Sequence, residues 1–323
     1  MNRSHHYIAL ALDILYREPK LIKKYYRPFS FLRNKKTDAK YIFMVDNKMP
    51  IGGMFDRLKG IISIFAISKN RNKTFKLNFK YPFDLSQYLM PNQYDWTIDD
   101  NEIVYQYPKS RPIIAYGEYA DPKRLMKNYN AECHFYYGYN SLKEINAKFG
   151  SDYKWTDLYN ELFRPTEHLQ KYINYYKNEI GENYVVVHFR FLNLLGDKTE
   201  TDINPVLDQK NIEALMIKSK NKIMGIAANH PNSRIMLSTD SNNFVEYIKK
   251  EIPEIYVVPG KIKHIGTAGT TSDEENLKMF IDYYLIAGAK YVYSVYGKRM
   301  WKSAFPEYSA MIGGCPFNRV SLD

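Results

Sequence analysis

Two cysteines, Cys133 and Cys315, in 323 residues exclude a disulfide framework and a cysteine-rich zinc site. Such sparing use suits a reducing compartment, so a cytoplasmic location is expected. No apolar run reaches the roughly 18 residues that a spanning helix needs. Gly60 to Ser68 is among the longest uncharged stretches. The short apolar run from Tyr7 to Leu15 is broken by Asp13, and no small-residue cleavage site follows, so it does not read as a signal peptide. The chain also lacks a GxxxxGK phosphate loop, HExxH and CxxC. A GxSxG nucleophile elbow is missing too. No two aspartates stand two positions apart, which removes the Asp-x-Asp metal clamp. P-loop hydrolysis and zinc proteolysis are thereby excluded; group transfer without a metal is not.

What is present is a positive surplus. Lys and Arg number 46 against 35 Asp and Glu, a formal net charge of +11. Such a surplus suits nucleic acid, anionic membrane or phosphorylated ligands. Ten basic and three acidic side chains fall within residues 1–40, so most of the surplus sits in a leader interleaved with Leu and Tyr. Concentration there argues against a nucleic-acid partner, which would need charge along a face of the body. It favours an anionic membrane surface instead. The 45% hydrophobic content supports a folded body with ample core.

Periodicity divides the chain into a basic amphipathic leader (1–40), an N-terminal domain (41–180) and a C-terminal domain (181–323). In the leader, Ile8, Leu12 and Leu15 fall at helical spacing, and Pro19 should end or bend the helix. Tyr41 to Val45 reads as a strand, followed by a turn with Pro50, Gly52 and Gly53 and a helix of about 16 residues. With Thr74 to Phe79 as the next strand, this is a βαβ unit. Short strands are expected at Ile103–Tyr105 and Ile113–Tyr116. From Tyr184 the alternation is regular. Strands at 184–189, 234–238, 255–258 and 291–295 alternate with helices at 208–228, 242–251, 273–287 and 298–305. Continuous apolar strands between amphipathic helices indicate an α/β fold with a parallel sheet covered on both faces.

Ligands of such sheets sit beyond the carboxyl ends of the strands. There the sequence places His188 and Arg190, then Gly196, Asp197 and Glu200. Later strands are followed by Ser238, Thr239, Asp240 and Ser241, by His264, and by Ser294 and Gly297. Arg190 offers a fork suited to diphosphate oxygens. A carboxylate such as Asp240 could pair with the N1 and N2 donors of guanine. Ser294 and Gly297 could open a helix whose amides meet a phosphate. Together they read as a nucleotide-diphosphate site. Each also has a plainer reading: His188 as bonded structure, Arg190 as an ion-pair member, Asp240 or Ser241 as a helix cap.

Gly52-Gly53-Met54-Phe55-Asp56-Arg57-Leu58-Lys59-Gly60-Ile61-Ile62-Ser63 is similar to the first βα unit of fucosyltransferase-like proteins. That family includes core α-1,6-fucosyltransferases, nodulation fucosyltransferases and protein O-fucosyltransferases. Val187-His188-Phe189-Arg190 resembles their His-x-Arg signature, and Leu237-Ser238-Thr239-Asp240-Ser241 their Thr-Asp segment. Asp282 to Gly297 with Ser303-Ala304-Phe305-Pro306 resembles their last strand and phosphate turn. His188-Phe189-Arg190-Phe191 with Asn193-Leu194-Leu195-Gly196-Asp197, and Phe55 to Ile61, also resemble a bacterial surface-polysaccharide branch of that family. The chain departs at Phe191, where the core enzymes carry a second basic residue.

The resemblance implies a GT-B-like fold: two Rossmann-like domains facing a cleft, the donor held by the C-terminal one and the acceptor largely by the other. It implies an inverting, metal-independent transferase without cofactor, using GDP-fucose or a related nucleotide sugar. The acceptor would be a glycan or lipid-linked oligosaccharide, met at the cytoplasmic membrane face. Arg190 would stabilise the leaving diphosphate, His188 would orient it, and Asp240 would read guanine. Gly53, Arg57, Thr239, His264, Ser294 and Gly297 would complete the donor site. Glu200, Asp197 or Asp56 would take the acceptor proton. A catalytically inactive homologue and a nucleic-acid-binding protein are the rival readings.

Overall fold

Tyr41–Val45 carries five apolar residues in a row, all buried, as a strand covered on both faces requires. The computed structural model describes residues 3–27, 39–50, 52–115, 122–197, 205–261 and 271–322. It divides into two compact units, residues 1–164 and 165–323.

Unit 1 opens with helices α1 (Arg3–Leu12) and α2 (Glu18–Tyr25), joined by a π-helical turn at Asp13–Arg17. Pro19 does not end the helix, although ending it is one of the two outcomes expected there. The Glu18 amide reaches back to Asp13 O, and this widened turn relieves the clash a proline makes with the carbonyl four residues before it. Proline then occupies the first turn of α2, where its missing amide costs nothing. Next come β1 (Tyr41–Val45), α3 (Met54–Arg71), β2 (Phe75–Phe79), β3 (Leu89–Pro91), β4 (Ser110–Ala115), α4 (Pro122–Leu125), β5 (Glu132–Tyr137), α5 (Leu142–Phe149) and α6 (Trp155–Leu162). The sheet has the order β2-β1-β5-β4 and is parallel throughout. Gly60 on α3 permits the close approach of helix to sheet, because a Cβ there would lie 2.2 Å from Tyr137 O. Ile103–Tyr105 forms no strand; the Val104 amide donates to the Glu132 carboxylate instead of to a neighbouring backbone.

The leader is part of this unit over its second half. Leu21 and Tyr26 are buried, and Glu18 accepts from the amide of Ile114 on edge strand β4 at 2.9 Å. Arg124 pairs with the same Glu18 oxygen at 2.5 Å, both side chains being buried. A sheet edge that would otherwise present open amides is thus closed by a carboxylate from the leader.

Strand β6 (Phe163–Pro165) spans the boundary between the units. Unit 2 then holds α7 (Glu167–Ile180), β7 (Tyr184–Phe189), α8 (Gln209–Ala228), β8 (Arg234–Thr239), α9 (Asn242–Glu251), α10 (Asp273–Ala287), β9 (Tyr291–Tyr296), α11 (Phe305–Gly313) and β10 (Phe317–Ser321). Helix α7, which the sequence reading assigned to the N-terminal domain, packs on α10 of unit 2. The sheet order is β10-β9-β7-β8, again all parallel. Val185, Val187 and Phe189 join α8 and α9 in one core, so the alternate residue His188 points to the other face. Three expectations change here. Ile255–Val258 makes only a single bridge, Tyr256 with Met236. The helix expected at 298–305 begins at Phe305, with Pro306 in its first turn. Edge strand β10 was not anticipated. Among the described residues, no helix is long and apolar enough to cross a membrane.

Candidate functional site

Parallel pairing aligns His188 with Ser238 on one side and Ser294 on the other, a polar row across three strand ends. All three are buried. His188 is 5% exposed, and its Nδ1 lies 3.1 Å from Ser238 Oγ. Its Nε2 has no hydrogen-bond partner among the described residues. The Phe305 ring stacks on the imidazole at 5.9 Å between centroids. Burial, with the Arg190 charge adding to it, pushes the imidazole pKa down to about 3. His188 is therefore neutral near pH 7, with one buried ring nitrogen left unpartnered among the described residues.

The turn after β7 is built around Asp240. Its two oxygens accept from the amides of Phe191 at 2.7 Å and Leu192 at 2.8 Å. These bonds hold Leu192 at φ 58°, a left-handed conformation that a branched side chain resists. Burial raises the Asp240 pKa, opposed by the Arg190 charge and those amides. Arg190 Nε is 3.9 Å from Asp240, and its side chain is 17% exposed, so the guanidinium stands at the surface of the turn. Phe191 turns inward, stacks on Phe189 and meets Phe244 edge-on, which accounts for an apolar residue here.

Asp197 lies at the end of the same turn, where both of its oxygens serve α9. They accept from Ser241 Oγ at 2.5 Å and from the Asn243 amide at 3.0 Å. Ser241 in turn caps α9 through the Phe244 amide. Thr239 is buried and accepts from the Ser241 amide. Thus His188, Arg190, Asp197, Thr239, Asp240 and Ser294 come together, but Asp240 and Asp197 are engaged in holding the turn and the helix. Glu200 and His264 lie outside the described residues.

Gly297 begins a loop that lines a cavity of about 660 Å³ with Tyr296, Lys298, Met300, Trp301 and Lys302. Trp301 is 58% exposed, and its amide donates to the Arg190 carbonyl, joining this loop to the turn after β7. Lys302 Nζ lies 4.5 Å over the Tyr296 ring. An indole beside two ammonium groups suits a flat ring carrying negative charge. Sequence reasoning missed this loop by assigning it to a helix, although its basic-aromatic run was visible. It also missed Asp282 on α10. That carboxylate accepts from Lys278 at 2.8 Å, while its Oδ1 has no partner among the described residues. Burial raises its pKa. Elsewhere on α10, both amide atoms of buried Asn276 are unpartnered as well among the described residues. Asp282, unlike Asp240, keeps one buried oxygen without a partner among the described residues.

In unit 1, Gly53 caps α3 and brings Asp56 and Arg57 into its first turn. Asp56 pairs with Lys59 at 2.7 Å, beneath Gly52, where a Cβ would meet the carboxylate at 2.3 Å. Arg57 is buried; Nε donates to Gly52 O at 3.1 Å and an Nη to Tyr81 O at 2.8 Å. Burial lowers its pKa to about 10. It straps the glycine turn to the segment after β2.

No family model matches the chain, and no curated protein is similar to it in sequence. Solved structures are similar in fold. The fucosyltransferase NodZ from Bradyrhizobium matches at 14% identity and a TM-score of 0.56, over 85% of this chain and 94% of its own. NodZ α-1,6-fucosyltransferase soaked with GDP-fucose gives 14% and 0.55, over 85% and 93%. A mutant of Arabidopsis thaliana FUT1 in complex with GDP gives 10% and 0.56, over 93% and 74%. The chain therefore has the α/β, GT-B-type fold of these fucosyltransferase structures.

Proposed function

We propose that the protein is a glycosyltransferase that moves fucose, or a related deoxysugar, from its GDP conjugate to a glycan. The observation that carries this reading is the row Ser238–His188–Ser294 at the strand ends, with the open His188 Nε2 and the Arg190 guanidinium beside it. The fold shared with fucosyltransferases solved with GDP or GDP-fucose supports it.

In this mechanism the acceptor oxygen forms a bond to the sugar C1 as the bond from C1 to the diphosphate breaks, inverting the carbon. Negative charge grows on the leaving phosphate, and Arg190 stabilises it there; donors so placed contribute about 3 kcal/mol to such barriers. Neutral His188 offers Nε2 to the diphosphate or the sugar. The loop with Lys298, Trp301 and Lys302 receives the rest of the nucleotide; Asp240, whose oxygens hold the turn, gives way as base reader to Asp282, whose Oδ1 is unpartnered among the described residues. No metal is required, because the charge is met by cations of the chain. The acceptor proton passes to a carboxylate; Asp197 is disfavoured for this, because both of its oxygens hold α9. A donor panel followed by mass spectrometry tests the reading: GDP-fucose should be hydrolysed or transferred, and turnover of UDP-sugars alone would overturn it.

A site on the cytoplasmic membrane face, in polysaccharide or lipopolysaccharide synthesis, fits the leader. Tyr7 (66%), Ile8 (57%), Leu15 (76%) and Tyr16 (58%) are exposed, and Lys20, Lys23 and Lys24 follow. Apolar groups flanked by cations suit an anionic lipid surface. Ile8→Ser with Leu15→Ser should abolish sedimentation with phosphatidylglycerol vesicles; unchanged sedimentation would contradict this.

A further inference from the structure

Unit 1 carries a cavity of its own, about 360 Å³, at the carboxyl ends of β1 and β2. Asp46, Lys48, Asn78, Tyr81, Asp100 and Tyr105 are among the residues that line it. The cations at this cavity are matched by carboxylates. Lys48 Nζ donates to Asp46 at 2.5 Å and to the Tyr105 hydroxyl at 2.7 Å, and Lys80 donates to Asp84 at 2.6 Å. An anionic ligand would have to break these pairs. Acceptors are what the cavity offers: Asn78 is 5% exposed and its Oδ1 has no partner among the described residues, while Asp100 is exposed at the rim. Tyr81 and Tyr105 add ring surface to the wall. A charge-matched, acceptor-rich and partly aromatic cavity of this size fits an uncharged ring with several hydroxyl donors.

We infer that this cavity is a subsite for a neutral pyranose of the acceptor glycan, with Asn78 and Asp100 accepting from sugar hydroxyls. The inference deepens the transferase reading, on which it rests only for calling the sugar an acceptor. Arg57 bonds to both Gly52 O and Tyr81 O, so the wall of the cavity and the glycine turn are held as one piece.

Saturation-transfer difference NMR on the full chain tests it, with galactose, mannose and N-acetylglucosamine as probes and inorganic phosphate as competitor. At least one sugar should receive saturation, and its affinity should fall about fivefold or more in Asn78→Ala, with a smaller fall in Asp100→Ala. Phosphate should not displace it. If circular dichroism shows Asn78→Ala to be unfolded, the exposed Asp100→Ala carries the comparison. Saturation of no sugar, equal binding by both variants, or displacement by phosphate would overturn the inference. GDP titration of the same samples reports on unit 2 separately: intact GDP binding with no sugar binding defeats only the subsite, and the converse defeats only the donor reading.

Discussion

The two units solve one architectural problem and then treat their polar groups differently. Each is a four-stranded parallel sheet with a cavity at its strand ends. In unit 1 the buried acids find partners within the protein: Glu18 with Arg124, Glu132 with His134, and Asp46 with Lys48 and two tyrosines. Unpartnered buried atoms occur in both units among the described residues, including Asn78 Oδ1 in unit 1, and His188 Nε2, Asp282 Oδ1 and the Asn276 amide in unit 2. An open buried polar atom costs about 1–3 kcal/mol, and a ligand that bonds it recovers that cost. The contrast lies in the acids: those of unit 1 are paired within the unit, Glu18 from its own leader, whereas Asp282 of unit 2 keeps one oxygen unpartnered among the described residues.

Glu18→Ala should break the first half of that comparison. It leaves Arg124 buried without its carboxylate and should destabilise unit 1 by about 3–5 kcal/mol in urea unfolding; unchanged stability would mean that the leader is not part of the unit. Arg190→Ala should reduce transfer by about 10²–10³ while the circular dichroism spectrum is retained. Near-normal transfer would remove Arg190 from the mechanism.

Glycine substitutions sharpen the likeness of the two sheets. Gly60→Ala places a Cβ 2.2 Å from Tyr137 O in unit 1, and Gly313→Ala one 1.7 Å from Ala287 O in unit 2. Each should lower stability by about 1–3 kcal/mol or more. Gly225→Ala on α8 meets nothing within 4 Å and should raise it by about 0.5–1 kcal/mol. Stability should also depend on pH. The folded pKa of His188, about 3, lies below its ordinary value of 6.5, so the unfolded chain takes the proton first as pH falls. Its contribution is complete above roughly pH 6.5 and is lost toward pH 3, by at most about 1.4 kcal/mol per unit. His188→Gln should flatten that part of the melting-temperature profile; an unchanged slope would mean that another group titrates.

The sequence makes some of this legible and conceals the rest for physical reasons. Tyr41–Val45 and Tyr184–Phe189 are visible because a strand buried on both faces needs an unbroken apolar run, and their parallel order follows from the helices between them. Ile255–Val258 has the same composition but pairs at one residue only, because pairing depends on neighbours that composition does not reveal. Strand β10 is hidden by its polar, half-exposed edge position. At the site, strand-end reasoning finds His188, Arg190 and Ser294. It cannot tell that the Asp240 carboxylate is taken by two backbone amides, since that depends on how the 190–192 turn folds. Asp282 is missed because a mid-helix acid four residues after a lysine looks like an ordinary surface pair.

Calorimetric titration of the full chain with GDP, UDP, CDP and ADP tests the central claim most directly. The account predicts binding of GDP in preference to the others, and its loss in Arg190→Ala. Binding of UDP alone, or GDP binding that is unaffected by Arg190→Ala, would contradict it.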